Sequence, residues 1–408
     1  MYKKSPFREF LIELYLIFHK CLFFFFKNIR LTNKIVFVSS FKENNIYIYK
    51  ELKREHYDGE IVFLCKKNVY NAIRKSVTDP VYKIETGRIW DEVMAAYHLM
   101  TAKKIIVDNY YGFLAVAPIK KEVECIQIWH AAGAIKKFGL TDHATKTRSK
   151  RAKHRFLQVY GKFDKVVVNS DAFAKMFEAA FHLKESQFLP IGFPRTDFFF
   201  NESKIKEKAS KFHKKYSMYQ KKKIILYAPT FRPNHEDNVL NLDIPLLYEK
   251  LHDEYVLFIR MHPSVTMYEH VLTGYEDFAI DFSKKASINE LLVVSDILIT
   301  DYSSIPFEYV LLKKPMIFYP YDLANYEQNP GIWEPYEEMV PGPIAYNTVD
   351  IIDLIEKNQF NEEIYESFNK KWNAYTTGNS SQKFVQYLLR GDNPCERSKQ
   401  EDTIHHSV

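Results

Sequence analysis

The chain has 408 residues, 46% apolar and 26% charged, which suffices for two domains with their own cores and excludes a peptide hormone, a polytopic membrane protein and a disordered chain. Its four cysteines show no C-x-x-C spacing, so neither a zinc site nor a disulfide framework is indicated. The net charge of +6 is unevenly divided, because residues 1–200 carry 34 basic and 20 acidic side chains, whereas residues 201–408 carry 23 and 31.

The N-terminal segment at residues 11–26 is hydrophobic and follows basic residues, as a signal peptide does. Glu13, His19 and Lys20 interrupt it, so its apolar stretches are far shorter than the roughly 20 residues of a spanning helix, and no small-residue cleavage site follows. Two interpretations remain open. Residues 1–30 form an amphipathic helix that lies in a membrane interface with residues 23–26 inserted, or they form a terminal helix docked on its own domain.

Short β-branched apolar runs alternate with longer helical patterns through most of the chain, which is typical of βαβ units. The predicted strands span residues 35–38, 61–65, 105–107, 126–129 and 166–168 in the first half, and 224–227, 256–259, 278–280, 297–300 and 316–319 in the second half. The sequence therefore predicts an α/β fold of two doubly wound Rossmann-like domains that face a cleft. The predicted domains cover residues 31–200 and 201–390, with a polar tail at 391–408.

The segment at residues 127–139 is the richest in the first half, because His130 follows a predicted strand there and precedes Ala131, Ala132 and Gly133. An imidazole, with an unperturbed pKa of about 6.5, can accept a proton near neutral pH, and the small neighbours leave room for a substrate. The alternative is a core histidine that is hydrogen-bonded at the end of a strand.

Three polar clusters follow predicted strands in the second half. Their members are Thr230 and Arg232, then Arg260 and His262, then Ser303 and Ser304 before a helix predicted at 307–312. Guanidinium groups and the amides of a helix N-terminus bind phosphate oxygens. Turns, caps or surface ion pairs explain each cluster alone. Because parallel strands bring their carboxyl ends to one edge of a sheet, the three together predict a phosphate-containing ligand.

Several common catalytic motifs are absent from the chain, namely G-x-G-x-x-G, the Walker A loop, G-x-S-x-G, H-E-x-x-H and Asp-x-Asp. Dinucleotide redox chemistry, P-loop phosphotransfer, serine hydrolysis and zinc proteolysis therefore lose their usual sequence support. The missing Asp-x-Asp also weakens the case for a nucleotide-sugar enzyme that holds a diphosphate through a divalent metal. We predict no metal and no cofactor.

Five motifs occur in a specific order and spacing along roughly residues 100–375. They are Trp129-His130 with Lys136-Lys137-Phe138-Gly139, Gly192-x-Pro194-Arg195-x-Asp197, Tyr227-Ala-Pro-Thr-Phe-Arg232, His262-Pro263, and Thr300-Asp-Tyr-Ser-Ser304 with Pro315, Tyr319 and Asp322. This set resembles the CDP-glycerol glycerophosphotransferase family of wall teichoic acid synthesis. The Ala-Ala-Gly-Ala-Ile sequence after His130 and the short chain are more similar to the glycerol-phosphate primases of that family than to its long polymerases.

The resemblance implies a fold of the glycosyltransferase B type, with the acceptor bound by residues 31–200 and CDP-glycerol by residues 201–390. It implies that His130 takes a proton from an acceptor sugar hydroxyl, which attacks the β-phosphorus of CDP-glycerol and expels CMP. It further implies that His262 is as necessary as His130, either as an acid or as a phosphate ligand. The implied substrate-binding residues are Thr230, Arg232, Arg260, Asp301, Ser303, Ser304, Glu308 and Asp322.

A basic run at residues 146–155 has six Lys or Arg side chains in ten positions. Nucleic acid is not a predicted partner, because no aromatic stacking platform or recognised module accompanies the run, and a solvated helix is the simplest alternative. With the resemblance, we predict contact with the acceptor diphosphate or with the anionic inner leaflet, where each nearby basic residue adds about 1 kcal/mol. The residues predicted for this role are Lys136, Lys137, Arg148, Lys150, Arg151 and Lys153.

The predicted function is transfer of glycerol phosphate from CDP-glycerol to the undecaprenyl-diphosphate-linked ManNAc-GlcNAc disaccharide. The predicted enzyme is peripheral, lies at the cytoplasmic face of the cell membrane, and has other teichoic acid enzymes as partners. Three alternatives stay open. They are a sibling enzyme that adds further glycerol-phosphate or ribitol-phosphate units, a nucleotide-sugar glycosyltransferase of the same fold, and a basic membrane or nucleic-acid adaptor in which His130 and His262 are dispensable.

Overall fold

The computed structural model describes residues 6–232, 240–261, 269–358 and 360–390. Its strands are β1 (Thr32–Ser39), β2 (Glu60–Cys65), β3 (Val81–Lys83), β4 (Ala102–Val107), β5 (Glu124–Gln127), β6 (Lys165–Val168), β7 (Phe188–Pro190), β8 (Lys223–Tyr227), β9 (Tyr255–Ile259), β10 (Ala279–Asp281), β11 (Ile297–Thr300) and β12 (Met316–Phe318). Its helices are α1 (Pro6–Phe26), α2 (Glu43–Arg54), α3 (Lys67–Arg74), α4 (Ile89–Thr101), α5 (His143–Lys146), α6 (Lys150–Tyr160), α7 (Asp171–Phe181), α8 (Glu202–Lys215), α9 (Ile244–Leu251), α10 (Ile288–Val294), α11 (Pro306–Tyr309), α12 (Leu323–Gln328), α13 (Tyr336–Met339), α14 (Thr348–Glu356), α15 (Glu362–Trp372) and α16 (Ser380–Leu389).

The first sheet is parallel throughout and has the strand order β3-β2-β1-β4-β5-β6-β7. Its central strands are runs of Val, Ile, Phe and Leu that are buried on both faces, as expected where helices cover a parallel sheet. The chain winds outward in both directions from β1, which pairs with β4 so that Val38 lies opposite Val107. Ligands of such sheets bind outside the carboxyl ends of the strands where the order reverses, which is here between β1 and β4.

The second sheet is also parallel, with the order β10-β9-β8-β11-β12. Its reversal point lies between β8 and β11, where Tyr227 pairs with Ile299. Both sheets are thus doubly wound, and the predicted α/β fold class of two such sheets is confirmed. Each predicted strand has its counterpart, whereas β3 and β7 were not predicted because three residues give too short an alternation pattern.

The contacts divide the chain into two units. Within the described residues, unit 1 comprises 6–130, 145–197 and 375–390, and unit 2 comprises 131–144 and 198–374 apart from its undescribed positions. The chain passes from unit 1 to unit 2 close to the predicted boundary at residue 200. However, α16 packs against α2 in unit 1, although its sequence lies in the stretch predicted as the second domain.

Helix α1 is docked on unit 1 through one face and exposes the other. Phe23 is buried, and His19 lies 3.3 Å from the Glu92 carboxylate of α4. Arg155 of α6 pairs with Glu9 and Glu13 at 3.0 and 3.4 Å. The opposite face exposes large apolar side chains, namely Phe7, Phe10, Leu11, Leu14, Ile17, Phe24 and Phe25. None of the described helices combines the length and the apolar character needed to cross a membrane.

Candidate active-site residues in the two units

In unit 1 the loop that carries His130 follows β5 and has an unusual backbone. Trp129 has φ +53°, in the left-handed region that a bulky side chain rarely adopts. The Gln127 side-chain oxygen accepts from the Trp129 backbone N–H at 2.9 Å. Asn44, in the first turn of α2, donates through Nδ2 to the carbonyls of Ile128 and Trp129. The loop is therefore held in its strained form by side chains on both of its sides.

The His130 ring has a defined orientation and a defined tautomer. Its Nδ1 lies 3.1 Å from the backbone carbonyl of Asp108, and a carbonyl can only accept, so Nδ1 carries the hydrogen. The lone pair of the imidazole is then on Nε2, the atom that can receive a proton. The ring also stacks on Phe41, with centroids 4.2 Å apart and planes 11° from parallel. His130 is half-buried, and this tautomer is the one that a general base acting through Nε2 would need.

The sequence prediction did not include Asp108, which directly follows β4. Its buried carboxylate accepts from the backbone N–H groups of Ser40 and Phe41 at 2.9 Å, from Asn45 Nδ2 at 2.8 Å and from the Tyr111 hydroxyl at 2.7 Å. Burial raises the pKa of Asp108 to about 6, although these donors favour the carboxylate. Asp108 thus orients the His130 ring in two ways. Its carbonyl accepts from Nδ1, and its carboxylate binds the backbone of Phe41, whose ring stacks on the imidazole.

The Gly-x-Pro-Arg-x-Asp motif lies beside the same loop. Arg195 Nη1 donates to the His130 carbonyl at 2.7 Å. Asp197 accepts from the backbone N–H groups of Ser380 and Ser381, both at 2.8 Å, at the start of α16. Gly192 has φ +78°, and a Cβ there would lie 2.5 Å from Ser380 Oγ, which explains the glycine. The motif therefore anchors the His130 loop and the C-terminal helix.

In unit 2 a buried ion cluster occupies the carboxyl ends of β8 and β11. Arg232 binds Asp322 with two hydrogen bonds, from Nε at 3.0 Å and from Nη2 at 2.9 Å, and its Nη1 lies 2.7 Å from Asp301 Oδ2. The other Asp301 oxygen accepts from the Thr230 backbone N–H at 2.8 Å. Tyr302, Tyr321 and Tyr326 surround the guanidinium, with ring centroids 4.9 to 5.2 Å from its central carbon. The guanidinium predicted to meet phosphate is thus engaged by two carboxylates.

Lys136 lies in unit 2 as well, with its Nζ 6.0 Å from the Tyr326 ring centroid. Burial lowers the pKa of Lys136, and the nearby Asp301 opposes that shift. Its backbone is fixed by Trp333, whose Nε1 donates to the Lys136 carbonyl at 2.9 Å. Gly133, a few residues earlier, has no room for a side chain because a Cβ would lie 2.3 Å from the Phe307 ring. Close packing against Phe307 inside unit 2 accounts for this glycine, whereas the sequence analysis had predicted that the small residues leave room for a substrate.

The remaining residues predicted for substrate binding fall into separate surroundings. The Thr230 hydroxyl is buried and has no hydrogen-bond partner within the described part of the chain. Ser303 Oγ accepts from the Ile305 N–H at 3.2 Å, so it caps a local turn, and Ser304 is half-buried beside it. Arg260 donates to backbone carbonyls after β10, those of Phe282, Ser283 and Ala286. Glu308 is buried in α11, and His262 lies outside the described residues.

The helix predicted at 307–312 is α11 followed by a 3₁₀ turn, Val310–Leu312. Of the residues predicted for the membrane, Lys150 and Arg151 are exposed at the start of α6. Arg148 and Lys153 are half-buried, and Lys153 donates to the Lys146 carbonyl at 2.9 Å. Lys137 is half-buried in unit 2. Among the described residues, no three His, Cys, Asp or Glu side chains lie close enough together to hold a metal ion.

Comparison with known proteins identifies the family. The model of the CDP-glycerol:poly(glycerophosphate) glycerophosphotransferase family matches residues 22–390. The teichoic acid glycerol-phosphate primase of Bacillus subtilis (strain 168) is 35% identical, over 93% of this chain and 98% of the primase. The teichoic acid poly(ribitol-phosphate) polymerase of Bacillus spizizenii is 34% identical over 88% of this chain, which spans only 56% of that polymerase.

A solved structure of a variant of the wall teichoic acid polymerase TagF, soaked with CDPG, has a TM-score of 0.75 and 23% identity, and the match covers 95% of this chain and 98% of that one. The likeness confirms a fold of the glycosyltransferase B type. The chain belongs to the CDP-glycerol glycerophosphotransferase family, as its motifs predicted. It is accordingly an enzyme of the glycerophosphotransferase class that serves teichoic acid synthesis.

Proposed function

We propose that this enzyme is a primase, which transfers a single glycerol phosphate from CDP-glycerol to the undecaprenyl-diphosphate-linked ManNAc-GlcNAc disaccharide and releases CMP. The observation that supports this proposal is the identity to two glycerol-phosphate primases, 35% and 33%, against 31% to a poly(glycerol phosphate) polymerase. A polymerase activity is the competing outcome of the test below.

The proposed base is His130. With Nδ1 donating to the Asp108 carbonyl, Nε2 accepts the proton of the acceptor hydroxyl as its oxygen attacks the β-phosphorus of CDP-glycerol. The new O–P bond forms while the bond from phosphorus to the bridging oxygen breaks, and CMP leaves with the electron pair. The Asp108 carbonyl stabilises the imidazolium that results, because Nδ1–H remains its donor.

The proposed donor site is in unit 2. Thr230 has a buried hydroxyl that lacks a partner among the described residues, which suits a ligand oxygen, and its backbone is fixed by Asp301. Ser303 and Ser304 follow β11 and contribute hydroxyl groups at the same edge of the sheet. We assign Arg232 to holding Asp301 and Asp322 in place, and Arg260 and Glu308 to shaping the same edge. His262 is assigned to the donor diphosphate on the basis of the family motif alone.

The acceptor is a membrane lipid, and unit 1 has a surface suited to it. The apolar face of α1 lies next to α6, because Arg155 of α6 pairs with Glu9 and Glu13 of α1. Lys150 and Arg151 are exposed on α6. We assign this combination, apolar side chains beside cations, to docking at the anionic inner leaflet as a peripheral enzyme. In this arrangement one face of the N-terminal helix docks and the other is exposed, so Phe24 and Phe25 can insert, whereas Phe23, which was also predicted to insert, is buried in unit 1.

Vesicle binding tests this assignment. The double change Lys150→Glu and Arg151→Glu is expected to release the enzyme from vesicles that contain phosphatidylglycerol, because two positive charges become negative and the net charge of the surface falls by four units. The matched control is Lys204→Glu with Lys206→Glu on α8, which makes the same charge change at exposed lysines of unit 2. Equal binding by both double variants would refute the assignment.

The transfer itself is tested by mass. Purified enzyme is incubated with CDP-glycerol and a soluble analogue of the lipid-linked disaccharide, and the glycerol phosphates added to each acceptor are counted by mass spectrometry. A product with one added unit is the expected result. Long chains of glycerol phosphate would identify a polymerase, and no addition to a competent acceptor would refute the proposed reaction.

A further inference from the structure

Arg195 and Asn44 have no part in the proposed reaction, yet both form hydrogen bonds with the backbone of the loop that carries His130. Arg195 Nη1 donates to the His130 carbonyl at 2.7 Å, and Asn44 Nδ2 donates to the carbonyls of Ile128 and Trp129 at 3.1 and 2.9 Å. The two residues also bind each other, because the Arg195 backbone N–H donates to Asn44 Oδ1 at 2.9 Å. Together they hold three successive carbonyls.

These contacts enclose the most strained position of the loop. Trp129 has φ +53°, and a large side chain persists there only when the surrounding structure determines the backbone. If the loop relaxed, the peptide planes on both sides of Trp129 would rotate, and the His130 ring would leave the position set by Asp108 and Phe41. Such strain is concentrated at functional sites, where it serves to hold a group in place.

We propose that Asn44 and Arg195 are positioning residues that hold the backbone of residues 128–130 and thereby aim the His130 imidazole at the acceptor hydroxyl. This inference rests on the proposed role of His130 as base. Asn44 is buried in the first turn of α2, and Arg195 lies in the 3₁₀ segment Pro194–Phe200, so each reaches the loop from a different element. They act through His130 and need not touch the substrate. The two charged residues of the Arg-x-Asp motif thus have different roles. Arg195 holds the His130 loop, and Asp197 accepts hydrogen bonds from the first backbone N–H groups of α16.

The test separates positioning from folding by measuring the rate, donor binding and thermal stability on the same preparations. Arg195→Ala and Asn44→Ala are each expected to lower kcat about 100-fold, the loss that a displacement of roughly 1 Å causes at a catalytic group. The Kd for CDP-glycerol, measured by calorimetry, is expected to stay unchanged. Arg195→Lys keeps one donor and is expected to recover part of the rate. Arg54→Ala removes an exposed arginine of the same unit and is expected to leave kcat unchanged.

The double variant of Asn44 and Arg195 gives a second readout. If both residues hold one loop, its loss in kcat will be smaller than the product of the two single losses. Wild-type kcat in both single variants would overturn the proposal. A fall in rate that is fully explained by the unfolded fraction would overturn it as well. If the alanine variants do not fold, Arg195→Lys and Asn44→Ser are measured in their place. A lower kcat with an unchanged Kd for CDP-glycerol supports the positioning role, and a wild-type kcat overturns it.

His130→Ala, measured alongside, distinguishes failure of the proposed base from failure of the positioning role. An active His130→Ala enzyme would refute the proposed base. An inactive His130→Ala enzyme together with fully active Arg195→Ala and Asn44→Ala enzymes would refute the positioning role alone.

Discussion

His130 and Arg232 both lie beyond the carboxyl ends of parallel strands, but their surroundings distribute charge differently. Around His130 the buried carboxylate of Asp108 meets neutral N–H and O–H donors. Around Arg232 two carboxylates meet one guanidinium, with Lys136 nearby. The first arrangement orders a loop and a ring, and the second fixes several elements of unit 2 through ion pairs. The end of a strand can therefore be ordered either by a carboxylate among neutral donors or by a cluster of ion pairs.

The largest expected effect on stability comes from breaking the ion cluster. Arg232→Met leaves the buried Asp301 and the half-buried Asp322 without their cation, and we expect a loss of about 3 kcal/mol in the free energy of unfolding. Adding Asp322→Asn to this variant should recover part of the loss, because one uncompensated charge disappears. Denaturant titration measures the free energy of unfolding of the single and the double variant. Arg54→Met, at an exposed pair, is the control and should change the midpoint little. A similar shift of the denaturation midpoint in Arg232→Met and Arg54→Met would show that the ion cluster does not stabilise the fold.

The second prediction concerns pH and the carboxylate of unit 1. The pKa of Asp108 is about 6 in the folded chain and about 4 when unfolded, so between these values the folded chain binds more protons there. Protonation of Asp108 therefore stabilises the fold, and its contribution decreases by about 3 kcal/mol as pH rises from 4 to 6. Asp108→Asn should remove this slope from unfolding curves measured across the window. An identical pH dependence in the variant would show that the carboxyl titrates normally.

The smallest effect is expected at the donor site. Thr230→Val keeps the shape of the side chain and removes the hydroxyl that has no partner among the described residues. If that hydroxyl binds CDP-glycerol, the variant loses one hydrogen bond, worth about 1 kcal/mol, and KM for the donor rises several-fold with kcat little changed. Steady-state kinetics with varied CDP-glycerol provide the measurement. A lower KM, or an unchanged one, would remove Thr230 from the donor site.

Sequence reasoning predicted the features that have a local signal. The central strands are visible as buried β-branched runs, and His130 is visible as a polar residue at the end of one of them. The partners of Arg232 have no such signal, because Asp322 lies 90 positions further along the chain. Asp108 is likewise a single acid after a strand, and only the fold brings its carbonyl to His130, 22 positions later.

The basic run illustrates a second limit. Its composition predicted a charged surface, but helical geometry separates its members, so Lys150 and Arg151 are exposed while Arg155 is buried against α1. Lys136 was grouped with the run by charge, yet it belongs to unit 2 and lies beside the Arg232 cluster. Charge counts along the sequence cannot tell a docking surface from a buried ion pair, because burial depends on the packing of distant segments.

The central claim is that His130 in unit 1 carries out the proton transfer while residues of unit 2 bind the donor. The most direct measurement determines both CDP-glycerol binding, by calorimetry, and CMP release with the disaccharide acceptor, on His130→Ala and the wild-type enzyme. We expect His130→Ala to bind CDP-glycerol with wild-type Kd and to release CMP at least about 100-fold more slowly, the scale of general-base catalysis. Wild-type CMP release by the variant, or loss of donor binding together with turnover, would contradict the account.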